Sequence, residues 1–249
     1  MRIVVAGGTG LIGSKVVALL RARGHDAVPA APETGFDTIT GRGVKDALQA
    51  ADVVIDVTNR VVFDPEEVMN FFTTSTRTLL DAGRDAGVQH HVLLSIVGVD
   101  RLSHPGYLNA KAAQERLVAG SGLSFTTVRS TQFFENLPAM GAGMVRDDEI
   151  VLPAADLQPI AAADVTAALI EVVSSTPRDG VVEIAGPERD SFARFIRPVL
   201  AAQGDVRPVR TDATAGYFGV PIVRDSLVPL GEARIGRTTF DDWSASQAS

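Results

Sequence analysis

The sequence contains no cysteine, and this absence excludes three kinds of chemistry at once. A chain of 249 residues without cysteine has no disulfide framework, no thiolate nucleophile and no cysteine-bound zinc. Long hydrophobic runs are also missing, since no apolar stretch approaches the roughly 20 residues that a membrane-spanning helix requires. Neither a cationic leader nor an apolar signal segment precedes the first predicted strand, so we expect a cytoplasmic protein without a membrane partner.

Positive charge is scarce in this chain. Lysine and arginine total 23 against 30 acidic residues, which gives a net charge of −7. An acidic chain repels the phosphates of nucleic acids, so DNA and RNA are not expected partners. Lysine occurs only at Lys15, Lys45 and Lys111. The length and the hydrophobic content of 45% are typical of a globular α/β protein and leave the oligomeric state open.

The chain begins with a β-branched run that is followed at once by glycines. Residues 2–6 predict a strand, and the amphipathic pattern from Leu11 predicts a helix directly after the turn. Gly8, Gly10 and Gly13 fit the spacing G-x-G-x-x-G. Glycine tolerates positive φ and lets a pyrophosphate approach the backbone amides at the positive end of the helix. We therefore predict a dinucleotide site that comprises Gly7, Gly8, Thr9, Gly10, Leu11, Ile12 and Gly13.

The ends of the next two predicted strands supply further cofactor candidates. Glu33 follows the strand 26–31 at the distance, about 20 residues after the glycines, that is expected of a ribose carboxylate. An acid at this place favours NAD and an arginine favours NADP. Glu33 fits a solvated loop acid equally well, so the choice between NAD and NADP stays open. Thr58 and Asn59 end the predicted strand 51–59, where they fit either cofactor contacts or a polar strand cap.

A serine, a tyrosine and a lysine carry the predicted chemistry. Ser95 is a hydroxyl within the apolar predicted strand 91–99. Tyr107 and Lys111 lie one turn apart on a predicted helix and so share a face. A phenol has a pKa of about 10, and a neighbouring ammonium lowers it toward neutrality, which makes Tyr107 a usable general acid or base. The alternative is a helix-end tyrosine beside a solvated lysine.

These features together resemble the short-chain dehydrogenase/reductase superfamily, and residues 93–136 resemble its atypical NmrA-like branch. The resemblance rests on the glycine turn, the serine-bearing strand, the Tyr-x-x-x-Lys spacing and residues 127–136. It implies that Tyr107 exchanges a proton with a substrate oxygen. It further implies that Lys111 holds the nicotinamide ribose and tunes the tyrosine, that Ser95 binds the substrate carbonyl, and that the cofactor lies near Asn59. Many NmrA-like proteins lack this tyrosine and lysine and act as redox-sensing regulators.

The stretch 133–144 is rich in phenylalanine, methionine and glycine and has no clean period. Loops at the strand ends carry specificity in such folds. An apolar wall suits an aromatic or quinonoid substrate, although core packing explains each member at least as well. The residues concerned are Phe133, Phe134, Asn136, Met140 and Met144.

Alternating strand and helix patterns predict a doubly wound, mainly parallel Rossmann sheet. Residues 1–133 would form the dinucleotide-binding core, and residues 134–249 a smaller C-terminal substrate lobe that partly returns to it. The leading prediction is an NAD(P)-dependent oxidoreductase that reduces the carbonyl or quinone of an aromatic or polycyclic small molecule. The alternatives are an NAD(P)-sensing regulator without chemistry and an oxidoreductase or oxygenase that tailors aromatic natural products. No metal site is predicted, because His90 and His91 are adjacent on a strand and point to opposite faces.

Overall fold

The computed structural model of the protein describes residues 1–62, 64–102 and 105–247. Its strands are β1 Arg2–Ala6, β2 Asp26–Ala30, β3 Val53–Asp56, β4 His90–Ile96, β5 Phe125–Ser130, β6 Val145–Arg146, β7 Glu149–Pro153, β8 Asp156–Leu157, β9 Gly180–Ala185, β10 Asp190–Ser191, β11 Val209–Asp212, β12 Gly216–Tyr217, β13 Val220–Pro221 and β14 Arg234–Ile235. Its helices are α1 Leu11–Ala22, α2 Val44–Leu48, α3 Pro65–Ala86, α4 Tyr107–Ala119, α5 Leu137–Ala142, α6 Ala162–Val173, α7 Phe192–Ala202 and α8 Phe240–Gln247. Two short 3₁₀ turns cover Pro32–Thr34 and Phe134–Asn136.

Seven strands form one sheet in the order β14-β9-β5-β4-β3-β1-β2. The pairs of β1 with β2, of β1 with β3, of β3 with β4 and of β9 with β14 are all parallel. Since β2 lies on one side of β1 and β3 on the other, the strand order reverses at β1. Ligands of such sheets bind beyond the carboxyl ends of the strands at this reversal. The predicted Rossmann fold is confirmed.

The central strands consist of apolar side chains because a parallel sheet with helices on both faces buries each of them. Ile3, Val4 and Val5 on β1 and Val54 and Ile55 on β3 are completely buried. An apolar run of four or five residues between turn signals is typical of such a strand. A polar residue at the end of one of these strands therefore stands out as a candidate for function.

The described chain forms two compact units. The first contains Met1–Ser95, α4, β5 up to Arg129 and Val165–Val182. The second contains the described residues from Ile96 to Leu102, Ser130–Asp164 and the described residues from Glu183 onward. The smaller sheets have the strand orders β11-β7-β6, β10-β8 and β12-β13. The glycine turn, the end of β3 and the start of α4 all belong to the first unit.

An acid followed by proline at residues 64 and 65 predicts a helix start, and helix α3 begins there. The carboxylate of Asp64 accepts a hydrogen bond from the backbone amide of Glu67 at 2.8 Å, and Pro65 occupies the first helical position. Gly87, with a φ of +72°, ends the helix. This helix packs against α4 through a small apolar cluster that includes Val68, Phe72 and Ala110, and the same phenylalanine reaches the polar site described below.

Several element boundaries differ from those predicted. The sequence pattern predicts one small strand at 147–151, but the structure has a hairpin of β6 and β7, because Asp147 and Asp148 both have positive φ and form its turn. The strand β3 ends at Asp56 rather than at Asn59, since the Asp56 carboxylate accepts a hydrogen bond from the Thr58 amide and so turns the chain. The sequence pattern also predicts a strand at 206–210, and the structure has β11 at Val209–Asp212.

The described part of the chain lacks two structural features. None of its helices combines the length and the hydrophobicity that crossing a bilayer requires. Within the same residues, no group of three or more histidine or acidic side chains is arranged to hold a metal ion.

Candidate active site

The turn between β1 and α1 is closed by glycines that have no room for a side chain. Gly7 has a φ of +80°, and a Cβ on it would lie 2.8 Å from the Val57 carbonyl oxygen. A Cβ on Gly8 would lie 2.7 Å from the Cα of Pro29. A Cβ on Gly13 would lie 2.1 Å from the Gly7 oxygen. The packing of α1 against the sheet therefore requires these three glycines.

Gly10 differs from them because the packing of the protein does not explain it. Its φ is −75°, and a Cβ there would meet only the Gly7 oxygen, at 3.4 Å. Gly10 is the N-cap of α1, yet it supplies no side-chain cap, and the first turn of the helix has no acidic residue. The first amides of a helix have no carbonyl partner within it. Thr9, Gly10 and Leu11 are exposed, so this helix begins at the surface, where its first amides could hold a pyrophosphate.

Glu33 lies beside this turn rather than apart from it. It belongs to the 3₁₀ turn Pro32–Thr34 that follows β2. A hydrogen bond with the side chain of Thr9 is the main cause that lowers the pKa of Glu33, so the carboxylate is ionised at neutral pH. The structure thus brings together one residue of the glycine turn and the acid predicted at the ribose.

The glycine turn is connected to Tyr107 through the residues that follow β3. A Cβ on Gly7 would lie 3.0 Å from the amide nitrogen of Thr58, so turn and strand end touch. The next residue, Asn59, accepts a hydrogen bond from the Tyr107 hydroxyl through its Oδ1 atom at 2.9 Å. The phenol that begins α4 is therefore two residue contacts away from the predicted phosphate site, within one compact unit.

Tyr107 and Lys111 share a helix but do not share an environment. Burial raises the pKa of Tyr107 above its ordinary value of 10.0. The prediction that a neighbouring ammonium lowers the pKa of this phenol is therefore wrong. The physical reason is that Lys111 points inward, where its Nζ atom donates to the Leu94 carbonyl at 2.9 Å and to the Oε1 atom of Gln114.

Lys111 is itself an unusual lysine. Its side chain is 3% exposed, and its Nζ atom lies 4.9 Å from the centroid of the Phe72 ring. Burial lowers the pKa of Lys111 to about 8, while the charges of Asp56 and Glu115 oppose this shift. The alternative of a solvated lysine is therefore wrong, because this ammonium is enclosed by protein groups.

Ser95 follows the carbonyl that Lys111 contacts. It is 4% exposed, and its hydroxyl has no hydrogen-bond partner among the residues that the structure describes. A buried hydroxyl without a partner carries a desolvation cost, which a ligand oxygen would relieve. Its burial shows that Ser95 does not lie on an open surface.

The five apolar and polar candidates after β5 divide into two groups. Phe134 is fully buried, with its ring centroid 5.6 Å from that of Phe240 and 5.4 Å from that of Trp243. Met144 is also buried. For these two residues the structure favours core packing, the alternative that the sequence left open. The remaining three, Phe133, Asn136 and Met140, are at least partly exposed.

Two buried polar residues of the site were not singled out from the sequence. Asp56 ends the apolar strand β3, and Gln114 lies one turn after Lys111; both are completely buried. The Nε2 atom of Gln114 donates to Asp56 at 3.0 Å. The available signal was an acid inside an otherwise apolar strand. The pairing of Asp56 with Gln114 could not be predicted from the sequence, because 58 residues separate the two positions.

The comparison with known protein families agrees with this geometry. Residues 37–176 match a family described as NAD(P)H-binding. The chain belongs to this family. It is an atypical branch of the short-chain dehydrogenases/reductases, so the predicted resemblance is confirmed and the cofactor class is NAD or NADP.

Individual relatives are distant. An NAD(P)H azoreductase from Xenophilus azovorans is 28% identical over 225 residues, covering 84% of this chain and 75% of the relative. The photosystem II assembly factor Ycf39 of a Synechocystis species is 25% identical over 82% of this chain and 63% of its own length. A solved NADPH-dependent quinone oxidoreductase from Escherichia coli superposes with a TM-score of 0.62 at 19% identity, covering 84% of this chain and 78% of that one. The structural match supports the fold.

Proposed function

We propose that the protein is an NAD(P)H-dependent reductase of a quinonoid, azo or carbonyl compound. The observation that carries this proposal is the hydrogen bond between Tyr107 and Asn59, because Asn59 follows the segment against which the glycine turn packs. When bound, the cofactor would supply a hydride. The chain would supply the cradle for the diphosphate, the orientation of the ring and the proton.

Tyr107 is suited to give a proton rather than to take one. Because burial raises its pKa, the phenol is neutral at physiological pH. Its O–H bond already donates to an amide oxygen, that of Asn59. A substrate oxygen or nitrogen in place of that amide would receive the same proton as hydride arrives at the neighbouring atom. The reaction direction supported by this arrangement is reduction.

Two further groups complete the proposed machinery. Lys111 would donate to the nicotinamide ribose, and Ser95 would donate its unpartnered hydroxyl to the substrate. Phe133, Asn136 and Met140 remain candidates for substrate contacts, since each keeps part of its side chain exposed. The likeness to an azoreductase supports flat, conjugated acceptors as the first compounds to test.

We further propose that NADH is preferred to NADPH. The carboxylate of Glu33 lies beside Thr9 of the phosphate turn, where it would accept hydrogen bonds from the two ribose hydroxyls. It would repel the 2′-phosphate of NADPH. Thr58 would contact the cofactor through its backbone beside Gly7 of the glycine turn. The Asp56 carboxylate fixes its position by accepting a hydrogen bond from its amide.

The proposal is tested by mixing the protein with NADH or NADPH and a panel of quinones, azo dyes and aromatic aldehydes under anaerobic conditions. Cofactor oxidation that depends on an acceptor would support a reductase. Tight cofactor binding without oxidation by any acceptor would favour the sensing regulator. Substrate-dependent oxygen uptake, in a parallel aerobic run, would favour the tailoring oxygenase.

A further inference from the structure

A continuous chain of buried polar groups runs from α4 to the end of β3. Lys111 donates to the Oε1 atom of Gln114, and the Nε2 atom of Gln114 donates to the Oδ2 atom of Asp56. The Oδ1 atom of Asp56 in turn accepts from the amide and the hydroxyl of Thr58, at 2.9 and 2.6 Å. Buried polar groups of this kind are costly unless each is satisfied. Every link of this chain has a donor and an acceptor.

The central amide has only one workable orientation. An ammonium offers hydrogens alone, and an ionised carboxylate offers acceptors alone. Gln114 stands between one of each, so its oxygen must face Lys111 and its nitrogen must face Asp56. A hydrophobic residue at this position would leave Lys111 and Asp56 without their shared neighbour and let the ammonium move toward the carboxylate.

The ammonium has three hydrogens to place. Within the described residues, two of them are taken by the Leu94 carbonyl and by Gln114. The Phe72 ring lies against the same group and restricts its movement further. A long flexible side chain is thereby held in one position with one hydrogen left for a ligand.

We propose that Gln114, held in place by Asp56, is the positioning residue that keeps Lys111 apart from the Asp56 carboxylate and directs its remaining N–H bond at the cofactor ribose. This inference rests on the proposed function for the identity of the ligand. Asp56 would then position two parts of the site. Its carboxylate accepts a hydrogen bond from Gln114 beside Lys111, and it also accepts one from Thr58, the residue before Asn59.

The charged and titratable groups around Lys111 come from three elements. Asp56 faces it from β3 and Glu115 from its own helix. The Glu115 carboxylate is already paired with the Arg129 guanidinium at 2.7 Å. His91 on β4 is buried and is influenced by Asp56, and burial lowers its pKa, so it is neutral near pH 7. Asp56 is therefore the anion available to compete for Lys111.

The test compares four proteins: the wild type, Gln114→Glu, Asp56→Asn and the double variant Asp56→Asn/Gln114→Glu. In the first variant two carboxylates oppose each other, and in the second the amide loses its charged acceptor. In the double variant the new amide at position 56 donates to the new carboxylate at position 114, which accepts from Lys111, so the chain is restored with its polarity shifted by one link. Ser75→Ala is the matched control, since Ser75 is buried in the same unit and its hydroxyl has no partner among the described residues.

The first readout is the dissociation constant of NADH, measured by calorimetry on proteins whose folding is checked by thermal unfolding. Each single variant should bind NADH roughly tenfold more weakly, the effect of disturbing a hydrogen bond to a charged group. The dissociation constant of the double variant should return to within about threefold of the wild-type value. The control Ser75→Ala should bind NADH as the wild type does. Additive losses in the double variant would overturn the proposal.

The second readout requires neither cofactor nor turnover. With lysine labelled at its ε carbon, NMR shows three resonances, and Lys111→Met assigns the relevant one. The pKa of Lys111 should be highest in Gln114→Glu, intermediate in the wild type and lowest in Asp56→Asn. An unchanged pKa across the series would overturn the proposal. If the Lys111 pKa values follow the expected order but the protein never oxidises NADH, the positioning role of Gln114 stands and only the proposed reductase function is refuted.

Discussion

The candidate site has two halves, the glycine turn with the start of α1 and the group Asp56, Gln114 and Lys111, and their polar groups differ in exposure. At the start of α1 the backbone amides are left open, with no side-chain cap and an exposed glycine above them. At Asp56, Gln114 and Lys111 the polar groups are buried and hydrogen-bonded to one another, with one hydrogen of the ammonium left for a ligand. The first arrangement leaves hydrogen-bond donors open for a phosphate, whereas the second fixes the position of a single cation. Affinity should therefore depend mainly on the first half and orientation on the second.

The largest effect should come from crowding the packed glycines beneath the open half. Gly13→Ala places a methyl group 2.1 Å from the Gly7 oxygen, and the nearest atoms all belong to the backbone of Gly7 and Gly8, which has little freedom to move away. We expect the free energy of unfolding to fall by about 3 kcal/mol, with a lower melting temperature in thermal unfolding. Gly204→Ala offers a comparison, because open space surrounds that glycine and only its positive φ of +77° opposes the methyl group. An equal loss in both variants would contradict the steric account.

The buried half of the site should make the free energy of unfolding depend on pH. Burial lowers the pKa of Lys111 to about 8 from 10.5, so between these values the unfolded chain binds a proton that the folded protein lacks. Stability should therefore rise with pH across this window. Between about pH 8 and pH 10 the free energy of unfolding should rise by about 2 kcal/mol. Above this range Tyr107 opposes the rise, because its pKa is raised in the folded protein. Denaturant unfolding of the wild type and Lys111→Met should diverge by this amount, and parallel profiles would show that the ammonium is hydrated.

A smaller effect is expected at the edge of the open half. Glu33→Arg replaces an anion that would repel the 2′-phosphate with a cation that would bind it. The ratio of the NADPH to the NADH dissociation constant should fall at least about tenfold, while stability stays unchanged. Asp46→Arg, an equal change of charge at an exposed position on α2, should leave the ratio unaltered. If both variants shift it equally, only the net charge matters.

The smallest effect on cofactor binding distinguishes a phosphate cradle from an ordinary helix start. Gly10→Ser supplies the missing cap, and its φ of −75° suits a serine. Stability should stay the same or rise by a few tenths of a kcal/mol. NADH binding should nevertheless weaken several-fold, because the hydroxyl occupies amides that the phosphate requires. Unaltered affinity in calorimetry would show that the pyrophosphate lies elsewhere.

The same contrast explains how much of the molecule the sequence predicts. The strand, turn and helix at the N-terminus depend on local sterics, so the spacing of Gly8, Gly10 and Gly13 was sufficient to predict them, and the fold followed. The direction in which Lys111 points was not predictable in this way. It depends on Leu94 and Gln114 competing with Tyr107 for the ammonium, and on Asp56, which lies 58 residues from Gln114 along the chain.

Burial accounts for the remaining errors. The i, i+4 spacing correctly placed Tyr107 and Lys111 on one helix, but spacing carries no information on which neighbour removes water from each group. Desolvation therefore reversed the expected pKa shift of the phenol. In the same way, the aromatic content after β5 could not separate Phe134, which packs in a core, from Phe133, which is partly exposed.

The central claim is that Tyr107 donates the proton while the glycine turn holds the cofactor, and the variant Tyr107→Phe tests it most directly. With an acceptor identified from the panel, NADH affinity and single-turnover cofactor oxidation are measured on the same preparation. We predict affinity within about twofold of the wild type and oxidation slower by about 100-fold or more. Oxidation at the wild-type rate would contradict the claim.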